Sequence, residues 1–238
     1  MKTIILIFLL ALPLHIQGKL YVVIVGVSEY GQSYNNLKHC HEDAKEMYKL
    51  LKKHTTENRI ILLTNHQAKH DNIVYNTKLL FQKAEKDDIV IFYFAGHGIE
   101  NNFLAYDKLL NFSTLKKIFQ ETKASRKLIF ADACYVGTLR NQDSRKKQGL
   151  GNNVLLFLSS RHGQISKESR ILGNGIFTHY LIAGLKGEAD ENKDKFITIR
   201  ELYNYVYPRV KRRLDNEQTA VLWGKYKKNM IILDLYNK

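Results

Sequence analysis

Two cysteines and two prolines are all that this chain of 238 residues contains. Two cysteines cannot build the disulfide framework that replaces a core in small secreted domains, so the fold must rest on buried apolar surface. Apart from Pro13, near the amino end, Pro208 is the only proline, and no Pro- or Gly-rich linker separates independent units. No internal repeat is present, which excludes solenoids and propellers. Apolar runs are short as well: the longest, residues 4–14, falls below the roughly 18 residues that a membrane-spanning helix needs. Acids are the last shortage, 23 against 37 Lys and Arg, for a formal charge of +14. Such a surplus suits anionic partners. The basic residues are scattered, however, with short clusters only at Arg145-Lys146-Lys147 and Lys211-Arg212-Arg213, and no nucleic-acid motif accompanies them. The charge therefore reads as a solvated surface, the second cluster also complementing a helix carboxyl end, and no nucleic-acid partner is expected.

What the chain does contain is ample core material, 45% hydrophobic residues in a length that suits one large α/β domain or two small ones. Residues 1–18 stand apart. Lys2, the apolar block and a short polar stretch ending at Gly18 have the layout of a secretory leader, so the chain is expected to be secreted or periplasmic. No stable membrane anchor is expected once the leader is removed.

Beyond the leader, apolar runs alternate with helical patterns. Strands are expected near residues 20–27, 59–64, 88–95, 126–132, 153–159 and 229–235, and helices near 39–54, 72–85, 113–121, 173–186 and 199–214. Runs without polar alternation suit strands buried on both faces, and the alternation with helices predicts a mostly parallel sheet covered on both sides.

Two loops close such runs. Phe94-Ala95-Gly96-His97-Gly98 follows Ile89-Val90-Ile91-Phe92-Tyr93, and Ala131-Asp132-Ala133-Cys134-Tyr135-Val136-Gly137 follows Leu128-Ile129-Phe130. In open α/β sheets ligands bind beyond the carboxyl ends of strands, so His97 and Cys134 are expected on one rim. A thiol with a reference pKa of about 8.5 needs an imidazole or a positive dipole to act as a nucleophile at neutral pH. His97 would give that help and later protonate the leaving amine. The backbone N–H groups of Gly98 and Cys134 are candidate oxyanion donors, Gly98 because it lacks a Cβ. A bridge from Cys40 to Cys134 would disable the nucleophile, so Cys134 is expected free and Cys40 packed near a helix start.

The Ala95-Gly96-His97-Gly98 and Asp132-Ala133-Cys134 motifs resemble those of the caspase-like cysteine peptidases, within them the metacaspase and bacterial caspase-like branch. Tyr21 to Gly26 is similar to the family's first strand, Cys40-His41-Glu42-Asp43-Ala44 to the opening of its first helix, and Asn174-Gly175-Ile176-Phe177-Thr178 to the start of its small-subunit helix. The resemblance implies an α/β caspase-like three-layer sandwich: a central, mostly parallel six-stranded sheet with helices on both faces. It divides residues 19–238 into a large-subunit-like portion (19–138), a junction (139–152) and a small-subunit-like portion (153–238). It also implies that Asp43 and Asp132 line the primary specificity pocket. Two carboxylates there would repel one another unless a cation sat between them, which favours substrates with Arg or Lys before the scissile bond. Asp43 has a simpler explanation too, as an acid at a helix amino end. Ser159 and Ser160 are expected to border the substrate cleft, either touching the peptide or serving as strand-end polar residues.

Some features depart from the family or stand outside its motifs. Ala95 replaces a Ser common in metacaspases, and the acids between His97 and Cys134 (Glu100, Asp107, Glu121, Asp132) are too sparse for the clustered calcium site, so activity is expected not to need calcium there. The junction carries Arg140, Arg145, Lys146 and Lys147, which fits self-cleavage after basic residues. Asp190-Glu191-Asn192-Lys193-Asp194 with Glu201 has much of a calcium-loop spacing, but Lys195 stands where the turn glycine belongs, and Thr198-Ile199-Arg200-Glu201 is a capping box; a capped turn is preferred, with weak cation binding as the minor alternative. Asn111-Phe112-Ser113 is a glycosylation acceptor in a suitable host. His39, His41, His66, His70, His162 and His179 show no ligand spacing, so no metal and no organic cofactor is expected. The expected function is an exported cysteine endopeptidase acting on proteins or peptides with basic residues; the alternative is a catalytically silent module that binds a protein through the same cleft.

Overall fold

A computed structural model describes residues 18–31, 36–99, 101–133, 154–160, 168–169, 174–215 and 217–236. Cys134, the junction at 139–152 and residues 1–17 of the leader lie outside them. The strands are β1 (Leu20–Gly26), β2 (Ile60–Thr64), β3 (Ile89–Ala95), β4 (Gly98–Ile99), β5 (Asn102–Leu104), β6 (Leu109–Asn111), β7 (Arg126–Asp132), β8 (Val154–Leu158), β9 (Glu168–Ser169), β10 (Asn174–Gly175), β11 (Phe196–Thr198), β12 (Val221–Trp223) and β13 (Ile231–Asp234). The α-helices are α1 (Cys40–Leu51), α2 (His70–Phe81), α3 (Phe112–Glu121), α4 (Ile176–Ala183) and α5 (Ile199–Arg213).

Six strands form the central sheet in the order β12-β8-β7-β3-β1-β2, all parallel except β12. Every residue of β1, β3 and β8 is buried, as expected for strands covered on both sides. Alternation along β1 supplies both cores. Leu20, Val22 and Ile24 join Met47 and Leu51 of α1, Phe177 and Leu181 of α4, and Leu202, Val206 and Val210 of α5. Tyr21, Val23 and Val25 join Ile73 and Phe81 of α2 and Leu115 and Phe119 of α3 on the other face. Each fully buried side chain of this size contributes about 1.5–3 kcal/mol of transfer free energy. The three-layer α/β sandwich with helices on both faces is thus the observed architecture.

One expected strand is displaced. Residues 231–234 do form a strand, but β13 pairs antiparallel with β11 in a separate two-stranded sheet. The sixth place in the central sheet belongs to β12, antiparallel to β8. Its three residues are only half-buried, too short a run to outweigh the more apolar Ile231-Ile232-Leu233. Helix α5 begins with the expected capping box, Thr198 and Glu201 bonding reciprocally, and ends with Lys211, Arg212 and Arg213 in its last turn, where cations complement the dipole.

Candidate active site

Strands β3 and β7 are parallel neighbours in register from Ile89 opposite Arg126 to Ala95 opposite Asp132. The ladder continues past their ends: Gly96 N–H donates to Asp132 O at 3.2 Å, Val27 N–H to Ala95 O at 2.9 Å and Ser159 N–H to Ala131 O at 2.9 Å. His97 lies two residues beyond Ala95, and Cys134 two residues beyond its register partner Asp132.

The histidine loop is fixed from two sides. Behind it, Phe103 of β5 stacks on Phe94 at 4.2 Å between centroids, and Phe112 meets Phe103 edge-on at 4.8 Å. In front, buried Tyr30 donates its hydroxyl to Val27 O at 3.1 Å and accepts the His97 N–H at 2.8 Å, while its ring lies 5.0 Å from the half-buried imidazole. Leu104 N–H donates to His97 O at 2.9 Å. Because that bond defines a hydrogen-bonded pair of the antiparallel ladder, the adjacent pair Gly98–Phe103 is non-hydrogen-bonded, and the Gly98 N–H points away from β5. Tyr30 was not legible as a site residue: it lies far from both motifs in sequence and carries none of its own.

The two acids meet. Asp43 on α1 is 1% exposed and Asp132 at the end of β7 is 6% exposed. The amino end of α4 seats on both: Gly175 N–H donates to Asp43 Oδ2 at 3.0 Å, and Thr178 donates to Asp132 Oδ2 through its N–H at 3.1 Å and its hydroxyl at 2.8 Å. With its proton on the carboxylate, Thr178 Oγ1 accepts from the Tyr93 hydroxyl at 2.7 Å. Burial first, then the negative charges of Asp43 and Asp132, hold the Tyr93 phenol well above its ordinary pKa. Helix-terminal amides therefore bond to the carboxylate pair that the family resemblance brings together and for which a cationic substrate group is expected. Gly175 is required between them: a Cβ there would collide with Asp132 Oδ2 and stand 3.1 Å from Asp43 Oδ2. The sequence shows Gly175 and Thr178 as part of a helix start, but not their contact with the acids.

Ser159 and Ser160 are fully buried. Ser159 Oγ accepts the Ala133 N–H at 3.2 Å and lies 3.3 Å from the Ala133 carbonyl, to which Ser160 Oγ also donates at 3.4 Å. Buried Gln218 donates to Ser159 O at 2.9 Å. Both hydroxyls thus hold the backbone of the residue preceding Cys134. Cys40 is buried at the start of α1.

The acidic loop after α4 folds on itself. Asp190 accepts backbone N–H groups of Asp194 and Lys195, each at 3.1 Å, and Asp194 accepts that of Phe196 at 2.8 Å. Glu201 bonds Thr198 N–H and hydroxyl at 2.9 and 2.7 Å. Lys195 adopts φ 68°, the left-handed conformation expected at the missing glycine and worth about 1–2 kcal/mol of strain. The capped turn accounts for these residues.

A family model for the caspase domain matches residues 19–231. The chain is similar in structure to caspase-1 from Spodoptera frugiperda, with a TM-score of 0.69, 16% identity, and 91% of this chain and 90% of that chain covered. It is also similar to protein GSU0716 from Geobacter sulfurreducens, with a TM-score of 0.67, 15% identity, and 88% and 95% covered. No curated protein matches the chain.

Proposed function

The chain belongs to the caspase-domain family of cysteine peptidases, and we propose that it is an endopeptidase cleaving after Arg or Lys with Cys134 as nucleophile and His97 as acid–base. The observation that carries this reading is the register of β3 on β7, with the Gly96–Asp132 bond beyond it, which ties together the two chain segments leading to His97 and Cys134.

The steps follow from the groups. Cys134 Sγ attacks the peptide carbonyl carbon as its proton passes to His97, and the oxyanion forms against the N–H groups of Gly98 and Cys134. His97 gives the proton to the leaving amine. Water, deprotonated by His97, then hydrolyses the thioester and restores the thiol. Tyr30 holds the histidine backbone, while Ser159 and Ser160 hold Ala133, so orientation comes from buried hydrogen bonds.

Asp43 and Asp132 supply the preference for a basic residue. A guanidinium or ammonium adds a countercharge to two carboxylates already held by α4. A second reading, in which both acids serve only to seat α4, is favoured by their burial and their bonds to Gly175 and Thr178. Residues 139–152 would offer the same basic residues to self-cleavage, and residues 1–18 would direct export.

The test is hydrolysis of paired fluorogenic peptides ending in Arg, Lys or Asp, by residues 19–238 and by Cys134→Ala, with and without calcium. Cleavage after Arg or Lys that vanishes in the variant is expected. Cleavage after Asp would refute the specificity, and no cleavage together with no thiol labelling of a folded protein would leave a binding module.

A further inference from the structure

The first described peptide unit, Gly18–Lys19, is held by a carboxylate. Lys19 N–H donates to Asp88 Oδ1 at 2.7 Å, and Asp88 Oδ2 accepts the Glu85 N–H at 2.8 Å. Asp88 is 6% exposed. Lys19 is fixed in turn, its carbonyl accepting the Ile89 N–H at 2.9 Å as β1 meets β3. Gly18 is pressed on the same turn: a Cβ there would overlap the Asp87 carbonyl and stand 2.8 Å from Asp88 Cα. A buried acid thus stands on the nitrogen of residue 19, the first after the leader-like segment.

We propose that Asp88 is the receptor for a new amino terminus, the α-ammonium of Lys19 freed when residues 1–18 are removed. It rests on the leader reading given above. Water, with an endopeptidase that cuts after a small residue, splits the Gly18–Lys19 bond: Gly18 departs as a carboxylate, and the nitrogen of Lys19 gains protons to become an ammonium. A neutral amide donor then becomes a cation on a buried carboxylate, a charge-assisted bond stronger than the one it replaces. Gly18 satisfies both demands on that position, a small residue for the cut and no Cβ against Asp87.

Other charges face this corner. Arg126 donates to Asp87 O and Ile231 O and feels both Asp87 and Asp88. Lys53, His54, Arg59 and Asp234 line the adjoining pocket of about 420 Å³ with Gly18 and Lys19. The cations oppose an added ammonium at longer range, and Asp88 in direct contact with the nitrogen outweighs them. The α-amino pKa is therefore raised above its reference of about 7.7–8.0. Because the folded value is raised, the stabilisation is fully present below the unfolded pKa of about 8 and is lost as pH rises through the folded value.

Two measurements test this separately. Expressed with its leader in a secreting host, the full chain is expected to yield a product whose intact mass begins at Lys19; a retained leader or another cut refutes the leader reading and with it the proposal. Independently, residues 19–238 with a free amine are compared with the same chain N-acetylated at Lys19, whose acetyl amide reproduces the Gly18–Lys19 bond without charge. The free amine is expected to melt higher at pH 6–7, the difference closing as pH passes the raised pKa, which titration of the 13C-dimethylated terminus reads as a shift of about one unit. Asp88→Asn is expected to abolish the difference between the free and acetylated forms. Identical melting curves, or an unshifted amine, would overturn the Asp88 assignment even if the mass were as expected.

Discussion

Replacing Thr178 with Val deletes the hydroxyl joining Tyr93 to Asp132 while keeping the shape of the side chain. The lost bond ends on a buried carboxylate and is worth about 1.5–3 kcal/mol. Tyr93, 0% exposed, then turns its phenol toward a methyl group, which costs a further 1–3 kcal/mol or so. Thr178→Val should therefore destabilise by about 2.5–6 kcal/mol, and Tyr93→Phe alone, which removes one neutral bond, by about 1 kcal/mol. The double variant has no phenol left to strand. It should be more stable than Thr178→Val by about 1–2 kcal/mol, a rescue by a second mutation. Urea unfolding of residues 19–238, carried out in a Cys134→Ala background to exclude self-cleavage, measures the cycle. Thr178→Ser keeps the hydroxyl and should stay near the parent. If Tyr93→Phe instead weakened Thr178→Val further, by an additive amount, the relay from Tyr93 through Thr178 to Asp132 would be wrong.

Asp132→Asn should lower kcat/KM for Arg peptides roughly ten- to 150-fold, the equivalent of about 1.5–3 kcal/mol, while leaving a covalent cysteine probe reactive; an unchanged value would favour the purely structural reading of the acids. Tyr30→Phe removes the acceptor for the His97 N–H and should reduce kcat about fivefold, with KM little altered, in peptide assays. Burial, followed by the 2.5 Å bond to Glu188, pushes the Tyr205 phenol up to about 12. The folded chain keeps that proton where the unfolded chain, near pH 10, releases it, so thermal stability should fall between about pH 10 and 12, and Tyr205→Phe should flatten the fall. Thr198→Ala breaks the capping box and should shift the urea midpoint by the equivalent of about 1 kcal/mol.

The strands that are buried on both faces were legible because continuous apolar runs such as Ile89–Ala95 have few other places to go. The short edge was not. Val221–Trp223 owes its place in the sheet to β8, not to its own pattern, whereas Ile231–Asp234 had the pattern and found a different partner. The same division runs through the site. His97, Asp43 and Asp132 carry chemistry that names them in the sequence, but the Asp43–Asp132 encounter was expected from the family resemblance alone, since β3 separates β7 from β1, the strand that leads into α1. Tyr30, Thr178, Gly175 and the turned-in hydroxyls of Ser159 and Ser160 act through contacts between distant segments, which periodicity does not encode. Cys134 and the junction after it lie outside the described residues, and their roles still rest on chemistry and resemblance.

The order of the central sheet has a consequence for how the chain assembles. β2 joins beside β1, β3 takes the other side of β1, and β7, β8 and β12 then each join beside the central strand made before it. A chain emerging from the ribosome amino end first can grow this sheet by accretion at one edge, without waiting to insert a late strand between early ones. Electrostatics sets the finishing step. By the time β7 has emerged, Asp43 and Asp132 are already made, but the amides of Gly175 and Thr178 that bond them are not. The amino-terminal half therefore carries two acids that lack these donors until α4 arrives, and docking of α4 delivers the amides as it adds Phe177 and Leu181 to the core shared with α1. Translation thus separates construction of the rim from its completion.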